Sequence, residues 1–369
     1  MSTDKEQKWI LQFCHSYYGP FMDCVRQYAV LFKNTEYKVC TVYLTGEPND
    51  EVVRGSESDE VVFLNYRSKQ VSGLKLAAIR DIRKLASSRR FSYCIAHRFK
   101  PIYIALLATS LPVIGVQHAF STYKTRSRQI LTTLFRKRLR LIGVSNAIRD
   151  DMRRFLPKFP REYIQTLYNR IDVAQVQQSQ VSREQAREYL GIPESAWVVA
   201  NVGRLHPDKD QSTLIKGFAQ ALERLPKGSL LVILGKGRLE SSLKALVQKL
   251  GIGQSVRFVG QVPQARRYFK AFDLFALTSD HEPFGMVLLE AMAAGVPVIT
   301  SDCGGAPEVV RDPKRLFPLG DSAELAKLIV RESAGRTRPE HDLTPFTDQA
   351  AVCNFFELEK LFLAGLYEK

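Results

Sequence analysis

Long apolar runs are missing from this chain. Although 45% of its 369 residues are apolar, charge interrupts every run well short of the 18 or more residues that a membrane-spanning helix requires. The N-terminus has no signal-peptide core, so no leader is expected. Six cysteines, at 14, 24, 40, 94, 303 and 353, lie scattered with no C-x2-C pair and no grouped histidines. Neither structural zinc nor a disulfide framework is therefore expected, and reduced thiols in the cytosol are. Acid is missing where base is densest. Between Lys124 and Arg140 stand Lys124, Arg126, Arg128, Arg136, Lys137, Arg138 and Arg140 with no Asp or Glu among them.

That tract dominates a formal charge of +15, a field that attracts nucleic acid, anionic lipid or an anionic substrate. No zinc finger, helix-turn-helix, RNP motif or KH loop accompanies it, and nucleic acid is not expected as a partner. Ile130, Leu131, Leu134, Phe135 and Leu139 alternate with the cations. This reads as a basic amphipathic helix lying on an anionic membrane surface. A solvated helix face with its apolar side in the core is the competing reading.

The length predicts two domains. Strands are expected at 9–14, 37–44, 61–64, 92–96, 112–117, 139–145 and 163–168, with helical spacing from Ser72 to Ser87. The polar stretch Gln175–Glu184 reads as a linker or an exposed helix start. Beyond it, strands at 197–202, 229–234 and 256–259 alternate with helices near 211–225, 239–250, 264–271, 285–294 and 321–334. Repeated strand–helix units imply a mostly parallel sheet in each half, an α/β class. The expected division is 1–175, 176–346 and a terminal helix within 347–369.

The most specific segment is Glu282-Pro-Phe-Gly-Met-Val-Leu-Leu-Glu290, continuing Ala-Met-Ala-Ala-Gly295-Val-Pro-Val. Phe272–Thr278 before it and Val296–Thr300 after it read as strands. One acid stands at a loop mouth and the other inside the helix that follows. In open α/β sheets ligands bind beyond the carboxyl ends of the strands, and carboxylates accept hydrogen bonds from hydroxyls. The segment resembles the E-x7-E signature of the retaining glycosyltransferases of GT-B fold (group 1, family 4), which include lipopolysaccharide and sucrose-synthase-like enzymes. The resemblance implies two Rossmann-like domains facing across a cleft, with the last helix crossing back onto the first.

Other residues fit that resemblance. Gly203-Arg204 and Lys209 follow a strand and put two cations on one loop, suited to a diphosphate. Gly235-Lys-Gly237 is a second glycine loop, and Val259-Gly260 follows a further strand and is expected at the base. The resemblance implies that Glu290 meets the ribose and Glu282 the transferred sugar. Backbone N–H groups of Phe284, Gly285 and Met286 at a helix start suit hydroxyls or phosphate. Gly19 stands where the family has a glycine pair; Pro20 replaces the second and removes a donor. His97 and His118 end strands and resemble family histidines, His97 at the transferred sugar and His118 at acceptor or phosphate. Lys124, Arg126 and Arg128 are expected to meet an anionic acceptor. Glu282, His97, Arg204 and Lys209 are the expected catalytic group. Asp208-Lys-Asp210 spells D-x-D, yet Asp210 reads as a helix cap, and no cofactor or divalent metal is expected.

The implied reaction is retaining transfer of a hexosyl unit from a UDP-, GDP- or ADP-sugar to a hydroxyl of a lipopolysaccharide or other lipid-linked glycan. It would take place peripherally on the cytoplasmic face of the inner membrane. A nucleotide-sugar epimerase of similar fold and a non-catalytic nucleotide-sugar or polyanion binder are the rivals.

Overall fold

The structure is a computed structural model that describes residues 7–18, 21–335 and 340–364. It divides into two units, Met1–Asn169 with Asp348–Lys369, and Arg170–Thr347. The first carries β1 (Lys8–Cys14), β2 (Tyr37–Tyr43), β3 (Glu60–Phe63), β4 (Phe91–His97), β5 (Val113–Gln117), β6 (Leu139–Gly143) and β7 (Ile164–Thr166). The second carries β8 (Val198–Val202), β9 (Leu230–Leu234), β10 (Val256–Gly260), β11 (Leu274–Leu277), β12 (Val298–Ser301) and β13 (Leu316–Phe317). Every strand pairing is parallel, as in Ile10 opposite both Val39 and Tyr93. Parallel neighbours require helical crossovers, which cover both sheet faces and explain why β9 reads Leu-Leu-Val-Ile-Leu with no polar alternation. Each unit is thus a Rossmann-like α/β layer structure, together the GT-B-type pair that the resemblance implies.

Strand order positions the sites. The first sheet runs β3-β2-β1-β4-β5-β6-β7 and the second β10-β9-β8-β11-β12-β13. In each, the chain winds outward from the first strand one way and then returns to wind the other way. Loops leaving the strands on either side of that reversal splay apart and open a crevice, where ligands of open α/β sheets bind. The reversals lie between β1 and β4, and between β8 and β11.

Several expectations need correction. The basic tract is not one helix. A helix covers Arg126–Leu134 and a turn follows. Leu139 and Arg140 belong to β6, as the strand expected at 139–145 has it, and not to a continuation of the helix. Arg138 donates to the carbonyls of Leu111 and Leu106. Arg140 is buried, stacks 3.5 Å from the Tyr163 ring centroid and donates to the carbonyl of Arg136. Neither guanidinium is available to a surface. Of the two readings of Gln175–Glu184, the helix start holds and the linker does not: helices Val173–Ser179 and Arg183–Leu190 occupy it, the second opened by a Ser182/Gln185 capping box. The expected helix near 264–271 is a 3-10 stretch, Ala265–Ala271, and that from Ser72 shortens to Leu76–Ala86.

The helix Asp348–Leu363 belongs to the first unit, where Phe355 packs edge-on to Phe32 at 5.6 Å between centroids. In the second unit, Asp273 precedes β11 and accepts from Arg183, Arg187 and the Val198 N–H. Arg187 is buried and also donates to Ala271 and Pro193 carbonyls. One carboxylate therefore ties the helix Arg183–Leu190 to two central strands.

Candidate functional site

In the second unit, three loops meet at the reversal between β8 and β11. After β8 the chain passes Gly203 and Arg204 to a 3-10 turn, Pro207–Lys209, and Asp210 then caps the helix Gln211–Ala221. Asp210 accepts from the Thr213 N–H and from the hydroxyls of Ser212 and Thr213. Asp208 is bonded to Arg204 at 3.2 Å and to His206 at 2.6 Å. Both carboxylates of the D-x-D string are engaged by local partners.

Lys209 reaches across to the loop after β11, its Nζ 2.8 Å from Glu282 Oε2. Glu282 is buried. The two loops are pinned further by Thr278 Oγ1 donating to the Lys209 carbonyl and the Asp280 N–H to the Asp208 carbonyl. The third loop joins through the Gly305 N–H to the Glu282 carbonyl. A Cβ on Gly305 would lie 2.5 Å from the Pro283 oxygen, so only glycine permits that approach. A buried ion pair thus joins the cation loop to the acid loop. Such pairs hold geometry more than they add stability.

The glycines of the 235–237 loop are required by the close approach of another backbone segment. A Cβ on Gly235, at φ 136°, would sit 1.9 Å from the Gly203 carbonyl oxygen, and one on Gly237 2.2 Å from the Leu205 oxygen. Two backbones press together here, joined by Leu205 N–H to the Lys236 carbonyl. Val259 and Gly260 end β10 beside them, with the Gly235 N–H donating to the Gly260 carbonyl. Gly285, at φ 101°, is the N-cap of the helix Met286–Ala293, which carries half-buried Glu290. The Phe284 ring is buried against Phe346 at 5.7 Å, so only its backbone can meet a ligand.

In the first unit, Gly19 lies outside the described residues. His15 follows β1, His97 ends β4 and His118 follows β5, on three adjacent strands. His97 Nδ1 lies 3.1 Å from His118 Nε2, and the two rings stack at 5.4 Å. Burial holds all three histidines neutral. It pushes His97 well below the ordinary value and, with neighbouring cations, takes His118 down to about 3 and His15 to about 4. His97 Nε2 is buried and has no partner among the described residues.

Arg98, directly after His97, has φ 70° and ψ 167°. That region is open to glycine and costs other residues about 1–3 kcal/mol. Its guanidinium lies 3.6 Å from the Phe21 ring centroid, and Phe21 in turn packs edge-on to His118. Of the other expected acceptor residues, Lys124 and Arg126 are exposed, whereas Arg128 donates to the Thr122 carbonyl and stacks on Phe99.

Sequence reasoning named Lys209, Glu282, His97 and His118 but neither of the contacts that join them. It did not single out Arg98. Its only signal is its place one residue beyond a strand-end histidine.

The comparisons agree with this architecture. The family described as "Glycosyl transferases group 1" matches residues 182–336, and "Glycosyltransferase Family 4" matches residues 32–175. Each unit carries its own match, and the similarity to glycosyltransferases runs through both. A D-inositol 3-phosphate glycosyltransferase of Corynebacterium efficiens is 36% identical over 136 residues, 35% of this chain and 32% of that protein. The lipopolysaccharide core biosynthesis glycosyltransferase LpsE of Rhizobium meliloti is 36% identical over 157 residues, 41% of this chain and 45% of that protein. The chain thus matches less than half the length of these two curated relatives. A solved structure of Anabaena HepE in complex with UDP-glucose superposes with a TM-score of 0.71 at 20% identity, covering 97% of this chain and 98% of that one.

Proposed function

We propose that the protein transfers a hexosyl unit from a nucleoside diphosphate sugar to a hydroxyl of a lipopolysaccharide or other lipid-linked glycan, with retention at the anomeric carbon. The observation that carries this reading is the Lys209–Glu282 pair at the reversal of the second sheet. It brings a cation for the leaving diphosphate and an acid for a sugar hydroxyl to adjoining loops. Arg204, exposed on the same loop, adds a bidentate donor. Attack from the face that the diphosphate leaves, with a diphosphate oxygen taking the acceptor proton, needs no protein nucleophile. The protein's part is then electrostatic: charge developing on the leaving diphosphate meets fixed cations. His97, neutral and with Nε2 unengaged, would offer one ring nitrogen to a sugar hydroxyl, and Glu290 would take the ribose. The names of the relatives, an inositol phosphate enzyme and a lipopolysaccharide core enzyme, favour an acceptor rich in hydroxyls and phosphate.

Asp208 and Asp210 already have cationic or backbone partners, which supports a reaction that does not need them as a metal pair. Turnover in excess chelator is expected to equal that without it; complete loss would reject this part.

A peripheral position on an anionic membrane is supported by the helix Arg126–Leu134. Its Ile130 and Leu134 are 68% and 71% exposed. They line a groove of about 540 Å³ with Arg126, Arg136, Phe155 and Lys158. Exposed apolar side chains ringed by cations suit acyl chains under anionic headgroups.

The test is incubation with labelled UDP-, GDP- and ADP-sugars, with and without a lipid-linked glycan fraction. Products are read by mass and by the anomeric coupling constant. Retained linkage in a new glycan is expected. An inverted linkage rejects the mechanism, and an altered nucleotide sugar without acceptor marks an epimerase. No product with any donor leaves a binding protein.

A further inference from the structure

The first unit has a charged cluster that nucleotide-sugar recognition by the second unit does not use. Arg98 follows β4 at the sheet's reversal, with its guanidinium over the Phe21 ring and engaged by no hydrogen bond or carboxylate among the described residues. Lys100 lies within electrostatic reach of His15, as does Arg98. Lys75 feels Lys100 and Arg128 in the same way. Cations repel cations across this region, and no Asp or Glu offsets them at Lys75, Arg98 or the two histidines. The helix Phe99–Ala108 starts at the same point, with Arg98 as N-cap. Pro101 lacks an N–H and the Ile102 N–H is bonded to the Arg98 carbonyl, which leaves the Phe99 and Lys100 N–H groups facing outward from the helix start.

Two features make this a built site rather than scattered surface charge. Arg98 is held in a backbone conformation that favours glycine, so the fold tolerates strain to keep a long cation there. A buried imidazole nitrogen, His97 Nε2, stands unpartnered on the neighbouring residue. The stacked guanidinium is partly desolvated and keeps its donors uncommitted to any carboxylate, which suits bidentate contact with phosphate.

We propose that Arg98, supported by Lys100 and the start of the helix Phe99–Ala108, binds a phosphoryl group of the acceptor, making the enzyme selective for a phosphorylated glycan. This deepens the glycosyl-transfer reading but does not need it for the binding step. A phosphoryl group could come from the acceptor or from the donor's diphosphate, and the experiment separates the two.

Inorganic phosphate is titrated by calorimetry into the full-length parent, R98G, R98K and R204Q. R98G suits the backbone and is expected to melt no lower than the parent. It should lose one class of phosphate sites, with at least tenfold weaker binding there, while R98K keeps part of it. R204Q should lose only the other class. In turnover, R98G is expected to raise KM at least tenfold for a phosphorylated acceptor and to leave KM for its dephosphorylated form unchanged. If R98G binds phosphate as the parent does, the site is overturned. If R98G instead raises KM for the nucleotide sugar alone, the phosphoryl group is the donor's and the acceptor assignment falls. Phosphate binding that depends on Arg98, in a protein that transfers no sugar, would sink the glycosyl-transfer reading and leave this site standing.

Discussion

Glu282 accepts from Lys209 in a buried position, so replacing it does two things at once. E282Q keeps the shape and one acceptor oxygen but removes the charge that Lys209 faces. Loss of a single contact that strengthens in the transition state typically costs about 2–4 kcal/mol. The expected outcome is nucleotide affinity within a few fold of the parent and kcat lower by two to three orders of magnitude. Unchanged kcat in stopped assays would reject the role. The histidines give a pH prediction at the same scale. His15, His97 and His118 resist protonation when folded, whereas the unfolded chain takes up those protons near pH 6.5. Stability present above pH 6.5 is therefore lost as pH falls toward the folded values near 4 and 3. Each histidine contributes a slope of up to about 1.4 kcal/mol per pH unit. Urea unfolding at pH 6.5 and 5.0 should show a smaller loss for H118N than for the parent. Equal losses would mean that His118 is not protected from protons in the folded state.

At the scale of elements, the anchor is Asp273. It joins the helix Arg183–Leu190 to β8 and β11 through two guanidiniums and one N–H. D273N preserves size but leaves Arg187 buried without its counter-charge, and breaking such a pair costs about 3–5 kcal/mol. The urea midpoint of the second unit should fall accordingly, and a loss under 1 kcal/mol would show that Arg187 finds compensation. Nothing in Phe272-Asp-Leu-Phe announces this role, because the partner lies 86 positions away in sequence. Most strands, by contrast, were legible: parallel sheets bury both faces, and their apolar runs stand out locally. Helix extents were less so. The basic tract misled because charge alternating with leucine satisfies a helical period through Leu139, although the strand expected from 139 onward is where β6 lies, between β5 and β7. In the candidate site, Glu282, Arg204 and Lys209 could be read from one local motif each. His97 meeting His118 could not, since it depends on β4 lying beside β5. Nor could the reason for Gly235, which is fixed by the Gly203 carbonyl of another loop.

For the whole molecule, the charge of +15 is usable only where cations remain free. Arg138 and Arg140 are bound within the fold, and their loss would read as misfolding rather than as weaker membrane attachment. The informative variant is I130S/L134S with Arg136 and Lys137 changed to Gln. Each cation near an anionic surface contributes about 1 kcal/mol, and burial of a large apolar side chain about 1.5–3 kcal/mol. Sedimentation with vesicles containing anionic lipid should fall by more than tenfold, while turnover of a short soluble acceptor stays near the parent's. Pelleting equal to the parent's would reject the membrane reading. A steep rise in KM for the soluble acceptor would reassign the groove to substrate.

The last helix has a consequence for how the protein is made. Asp348–Leu363 completes the first unit, placing Phe355 and Phe362 in its interior. On the ribosome, residues 170–347 emerge as one unbroken stretch and can fold as soon as they clear the exit tunnel. The earlier-made half must wait with Tyr28 and Phe32 uncovered until those final residues arrive. The half synthesised first is thus the half finished last, and a ribosome stalled late in the message would hold a folded second unit beside an apolar first unit open to chaperones and proteases.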